Sequence, residues 1–104
     1  MERLKFSRHL LEERADRAAF ILIHTGLGNI VYSAPAAENR TAYITDEGVV
    51  YFKGADGVIV TMYYLEIDQA RYFCKEEKIP EKVKHAIERN RKRGYIEKQN
   101  QVKY

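Results

Sequence analysis

Apolar positions early in the chain recur at helical spacing. Leu11, Ala15, Ala18 and Leu22 fall four, three and four residues apart, and Ala19 and Ile23 widen the stripe. Ser7 is placed to cap a helix starting at Arg8, and Gly26 to stop it. Residues 21–24 followed by 26–29 and 30–32 also fit a hairpin, because apolar runs this short are ambiguous. The reading adopted is one long helix, then a short helical turn over 29–34 ended by Pro35.

The period then changes from helical to alternating. Residues 41–45, 49–53 and 58–65 are rich in β-branched and aromatic side chains. Asp46-Glu47-Gly48 and Gly54-Ala55-Asp56-Gly57 separate them, and connections this short require antiparallel pairing. Alternation puts Ile59, Thr61, Tyr63 and Leu65 on one face of the last strand and Val58, Val60, Met62 and Tyr64 on the other. Both faces are apolar enough to predict a strand that is central or covered on both sides.

Helical spacing returns over residues 67–77, with Ile67, Ala70, Phe73 and Cys74 as the buried face. Pro80 suits the first turn of a further helix, which would bury Val83, Ala86 and Ile87 and stop at Gly94. The last ten residues are polar and are expected to fray. The pattern predicts an α+β fold: an N-terminal helix (or two), a three-stranded antiparallel meander and two C-terminal helices. It is read as a single domain, with residues 1–79 as an α+β core and 80–104 as a basic helical arm.

Composition agrees with a folded chain. At 104 residues, with 45% hydrophobic and 32% charged side chains, it is long enough for one core and is not of disordered type. A single cysteine excludes an intrachain disulfide. No run approaches the ~20 apolar residues of a spanning helix, and no signal-peptide pattern opens the chain, so a cytoplasmic location without membrane contact is expected. The net charge of +3 hides an asymmetry. Residues 82–104 carry eight Lys or Arg against Glu88 and Glu97, a net +6, which leaves −3 for residues 1–81. A basic tail on an acidic body points to a polyanion, or to docking on that body.

Several residues can carry chemistry. His9 lies about 160° around the first helix from Leu11 and shares its polar side with Glu13 and Asp16, flanked by Arg17. Neighbouring carboxylates favour an imidazolium, suited to proton donation or phosphate contact; a solvated helix face is the plainer alternative. Thr61 and Tyr63 share a strand face, where a hydroxyl and a phenol can bond a phosphate, or simply express β-propensity. Arg89, Arg91, Lys92 and Arg93 form the densest basic run and are candidate phosphate contacts for RNA or DNA. No histidine or cysteine pair has metal-ligand spacing, with His24 and His85 isolated, and Gly26-Leu27-Gly28 lacks the third glycine of a dinucleotide turn, so neither metal nor cofactor is implied. Cys74 reads as a buried structural thiol.

Ser7-Arg8-His9, then Leu11-Glu12 and Arg17, resembles the opening helix of small proteins that begin Ser-Lys-His-Ala. Pro35 and Thr61-Met62-Tyr63 fall where that group has a proline and a Thr-x-Tyr strand; four residues after the histidine this chain has Glu13, with Arg14 next. The group is placed with the barnase–colicin–RelE-like endoribonuclease superfold, common in toxins and on mobile elements, and the resemblance covers residues 5–65. It implies metal-independent RNA cleavage, with His9 as acid or base, Arg17 or Arg14 on the phosphate, and Thr61 and Tyr63 as positioning groups. The competing reading is a non-catalytic module that binds nucleic acid, another protein or a second copy of itself.

Overall fold

The computed structural model describes residues 5–73 and 78–101. Two N-terminal helices, α1 (Arg8–Glu13) and α2 (Ala15–His24), precede four strands, β1 (Ile30–Ala36), β2 (Arg40–Thr45), β3 (Val49–Lys53) and β4 (Ile59–Tyr64). Three helices follow: α3 (Ile67–Phe73), α4 (Glu81–Lys92) and α5 (Tyr95–Gln101). The strands form one antiparallel sheet in the order β1-β2-β3-β4. The protein is therefore α+β, with helices at both ends of a central antiparallel meander.

Ser7 caps α1 as its position suggests, its Oγ accepting the Leu10 amide at 3.1 Å. The single long helix is corrected to two. Arg14, at φ −128° and ψ 19°, ends α1 and starts α2. The apolar stripe is corrected with it: Leu11, Leu22 and Ile23 are exposed, whereas Leu10, Ala18 and Ile21 are buried.

The sheet has four strands and not three. The expected helical turn over 29–34 is β1, which pairs with β2 from Ile30↔Thr45 to Ala36↔Arg40. Residues 37–39 make the connection; Glu38 and Asn39 both have positive φ (61° and 58°), and the Arg40 amide closes the turn on the Ala37 carbonyl. Two successive left-handed residues are the geometry of a type I′ hairpin. Pro35 is tolerated because β1 is an edge strand.

The last strand is the other edge and not central, but that edge is closed. Ser7 donates to the Ile59 carbonyl and Ile59 to the Lys5 carbonyl, both at 2.8 Å, so the N-terminal segment runs beside β4 in parallel. Further along, the Gln99 side chain accepts the Tyr64 amide at 2.6 Å and donates to the Tyr64 carbonyl at 3.0 Å. One side-chain amide thus stands where a neighbouring strand would be. Leu10, Ile21, Val49, Val50, Ile59, Met62, Tyr64, Leu65 and Val83 form the fully buried core.

Three C-terminal helices replace the expected two. Ala70 of α3 is buried and Ile67 is half-buried, whereas Cys74 and the side chain of Phe73 lie outside the described residues. Val83, Ala86 and Ile87 of α4 are buried as predicted, with Pro80 one position earlier than expected, at the N-cap. Of the terminal segment expected to fray, residues 95–101 form α5, which buries Ile96, and residues 102–104 lie outside the described residues. Residues 81–101 are therefore part of the packed body.

Candidate anion-binding site

The buried side of the first two helices runs through Leu10, Arg14, Arg17, Ala18, Ile21 and Thr25, all buried or half-buried. The spacing is helical, and two arginines stand in the middle of it. Arg17 is thereby turned toward β4, on which α2 packs. Thr61 and Tyr63 share one face of that strand, opposite Phe52 and Val50 of β3, and the Phe52 and Tyr63 rings lie 6.1 Å apart. Arg17 Nη2 donates to Thr61 Oγ1 across a long 3.4 Å, and the guanidinium carbon lies 5.8 Å from the centre of the Tyr63 ring. A cation over an aromatic face is held electrostatically, by about 0.5–2 kcal/mol depending on desolvation.

Arg17 Nε is buried and has no hydrogen-bond partner among the described residues. Leaving such a donor unpaired costs about 1–3 kcal/mol. Burial, followed by repulsion from Arg14, lowers the Arg17 pKa from its usual value, and the Tyr63 phenol opposes this. Burial raises the Tyr63 pKa, with Arg17 pulling it back. The site thus holds a partly desolvated cation, a hydroxyl and a phenol side by side.

Other arginines in the fold are neutralised by carboxylates. Arg8 pairs with Glu12 at 2.8 Å, Arg40 with Glu38 at 3.2 Å, Arg71 with Asp68 at 3.4 Å and Arg89 with Glu47 at 2.8 Å, and Arg91 pairs with Glu88. Among the described side chains, which do not include that of Glu13, no carboxylate lies in ion-pair range of Arg17. A half-buried arginine whose charge is left for something else has the chemistry of an anion site.

Beside Arg17, a cavity of about 280 Å³ opens between α2, β4 and α5, lined by Asp16, Arg17, Phe20, Ile21, Tyr64, Lys98 and Gln99. Phe20 is fixed edge-on against Tyr64 and Tyr95, at 6.2 and 5.3 Å between ring centres. His24, isolated in the sequence, lies against Phe20 at 4.1 Å. Thr25 Oγ1 and the Tyr64 hydroxyl, 3.2 Å apart, bond to each other. A wider groove between α3, α4 and α5 (about 880 Å³) has charged residues of both signs, but Arg71 and Arg91 are already paired there.

Of the residues singled out in the sequence, Arg17, Thr61 and Tyr63 meet at one place, while His9 stands exposed on α1. In the basic run, Arg89 reaches back to Glu47 and Arg91 to Glu88, leaving Lys92 and Arg93 as exposed cations at the end of α4. No family model, curated protein or solved structure matches the chain. The likeness to the endoribonuclease superfold therefore rests on its sequence motifs. Among the described residues no group of His, Cys, Asp or Glu side chains is arranged to hold a metal ion, and no helix is long and apolar enough to cross a membrane.

Phe20, Lys98 and Gln99 were not singled out in the sequence. The available signal was Arg17 itself, a charge at a core position of the helical stripe. Lys98 and Gln99 carried none, since α5 is polar except where it docks.

Proposed function

We propose that this protein binds single-stranded RNA, seating one backbone phosphate at Arg17 with help from Thr61. The observation that carries the reading is the partly desolvated Arg17 guanidinium, lacking a carboxylate partner among the described side chains while other arginines have one. Thr61 adds a hydroxyl donor, and the exposed Lys92 and Arg93 supply outlying contacts to the same polyanion. Fluorescence anisotropy with a labelled RNA oligonucleotide over a salt series tests it. Arg17→Met should lower affinity about ten-fold or more, the scale of charge-assisted bonds. The log–log salt slope should flatten by about 0.7. Unchanged affinity and slope would remove the site.

The family resemblance adds a second step, cleavage of the bound strand. The 2′-hydroxyl would give up its proton and attack phosphorus as the bond to the 5′-oxygen breaks and that oxygen takes a proton. His9 would move a proton, Arg17 would hold the phosphate, and Thr61 and Tyr63 would position it. The supporting observation is that three of these four side chains meet. His9→Ala should then slow cleavage by about 10²–10⁴-fold. An unchanged rate would leave a binding protein only.

A further inference from the structure

The phosphate contact leaves the adjoining 280 Å³ cavity unused, and its lining is that of a base site. Drug-sized ligands occupy about 300–1,000 Å³, so this space suits a single ring system. Phe20 is braced perpendicular to Tyr64 and Tyr95, with interplanar angles of 89° and 84°. The Lys98 ammonium, on an exposed side chain, lies over the Phe20 ring at 5.2 Å. A planar base can take that place on the ring, and a phosphate is a stronger partner for the displaced ammonium than the ring is.

The polar lining fits as well. The Gln99 amide spends one N–H and one oxygen lone pair on the Tyr64 backbone. It is locked in orientation with a second N–H and a second lone pair to spare. Asp16 accepts hydrogen bonds only, which favours a base edge carrying N–H donors. Arg17 lines both the cavity and the Thr61–Tyr63 cluster, so phosphate and base can belong to one nucleotide.

We infer that the cavity between Phe20, Lys98 and Gln99 receives the base of the nucleotide whose phosphate Arg17 holds, making this a single-nucleotide site for an unpaired, amino-bearing base. This rests on the phosphate reading of Arg17. The test titrates the full chain with ribose 5-phosphate and with adenosine 5′-monophosphate, followed by calorimetry and NMR. Adenosine 5′-monophosphate should bind roughly ten-fold more tightly, within the range of one base–aromatic stack. Phe20→Leu should bring it to within about two-fold of ribose 5-phosphate, whose own affinity stays unchanged. Equal binding of both probes to the wild type would overturn the base site and leave the phosphate site standing. Binding of neither would overturn both. Because Phe20 belongs to a packed aromatic group, a wild-type measurement accompanies the variant: nuclear Overhauser contacts between the adenine ring protons and the Phe20 ring are expected. Their absence in the saturated complex would overturn the assignment.

Discussion

Arg17 and Arg89 invite comparison because they begin alike. Each is half-buried on a helix, and each has an Nε buried without a hydrogen-bond partner among the described residues. Arg89 projects from α4 onto the β2–β3 turn, where Glu47 takes its terminal nitrogen at 2.8 Å. Beside it the buried Asn90 donates to the Glu47 carbonyl at 2.8 Å, and the Gly48 amide closes the turn on the Thr45 carbonyl. Arg17 projects from α2 onto β4 and meets a hydroxyl and a ring. One arginine completes a joint between two elements; the other holds charge at the edge of a cavity. The same side chain, half-buried in both places, closes an ion pair in one and meets a hydroxyl and an aromatic ring in the other.

The sharpest test of this contrast uses two glycines with similar backbones. Gly48 (φ 73°) lies in the Arg89 joint, and a Cβ there would stand 2.8 Å from Asn90 Nδ2 and 3.3 Å from the backbone of Ala86. Gly26 (φ 71°) follows α2 and has open space around it. Gly48→Ala should cost about 2–4 kcal/mol, adding overpacking to the left-handed backbone penalty. Gly26→Ala should cost only about 1 kcal/mol, from the backbone alone. Urea denaturation compares them, and equal losses would mean that the joint is not tightly packed.

Replacing each arginine with methionine should separate the two by sign. Arg89→Met removes a pair that is more than a third exposed, so the loss should stay near 1 kcal/mol or below. Arg17→Met removes a partly desolvated charge and an unpaired donor, and stability should hold or rise by up to about 1 kcal/mol. A clear loss of stability in Arg17→Met would make that residue structural.

The smallest effects are set by pH and fall at opposite ends of the scale. The backbone N–H of Asn29 holds the Asp46 carboxyl, in the turn next to Glu47, below its usual 3.8. The folded chain there stays ionised where the unfolded chain takes up a proton. This contribution is complete above pH 3.8 and is lost as pH falls toward the lowered value. Asp46→Asn should flatten the acid limb of a plot of denaturation midpoint against pH. Tyr63, on the Arg17 side, is shifted the other way. Burial raises its phenol above the usual 10.0, so its contribution is present below that pH and lost as pH rises through the raised value. Arg17→Met should move the Tyr63 titration further up, read by ultraviolet difference spectroscopy. An unmoved titration would mean that the guanidinium does not act on the ring.

The sequence was informative wherever one local preference ruled. Ser7 at the first helix start, the alternating runs of β2, β3 and β4, and the buried Val83, Ala86 and Ile87 all follow from period and capping. It misled where tertiary contacts overrode local signals. Glu38-Asn39 makes a turn usually written with glycine, and Pro35 inside β1 read as a stop, so the fourth strand was hidden. The break at Arg14 shifted the helical phase by a step and moved the apolar stripe off Leu11 and Leu22. For the candidate site, Thr61 and Tyr63 were visible from alternation. From its position Arg17 read as a flanking charge, and only the resemblance gave it a phosphate, because a cation on a buried face goes against the hydrophobic pattern used to find that face.

The Gln99 bracket on Tyr64 has a kinetic meaning. The strands of the meander pair only with sequence neighbours, whereas the bracket joins residues 35 apart, so loop closure must come before it pays any return. Helix α5 is accordingly expected to dock late and to leave early. When it lifts, the Tyr64 amide loses its acceptor, one edge of the sheet opens, and Tyr95 withdraws from Phe20 in the same event. The hydrogen-exchange rate of a single backbone amide, that of Tyr64, reports how often the whole C-terminal helix is away.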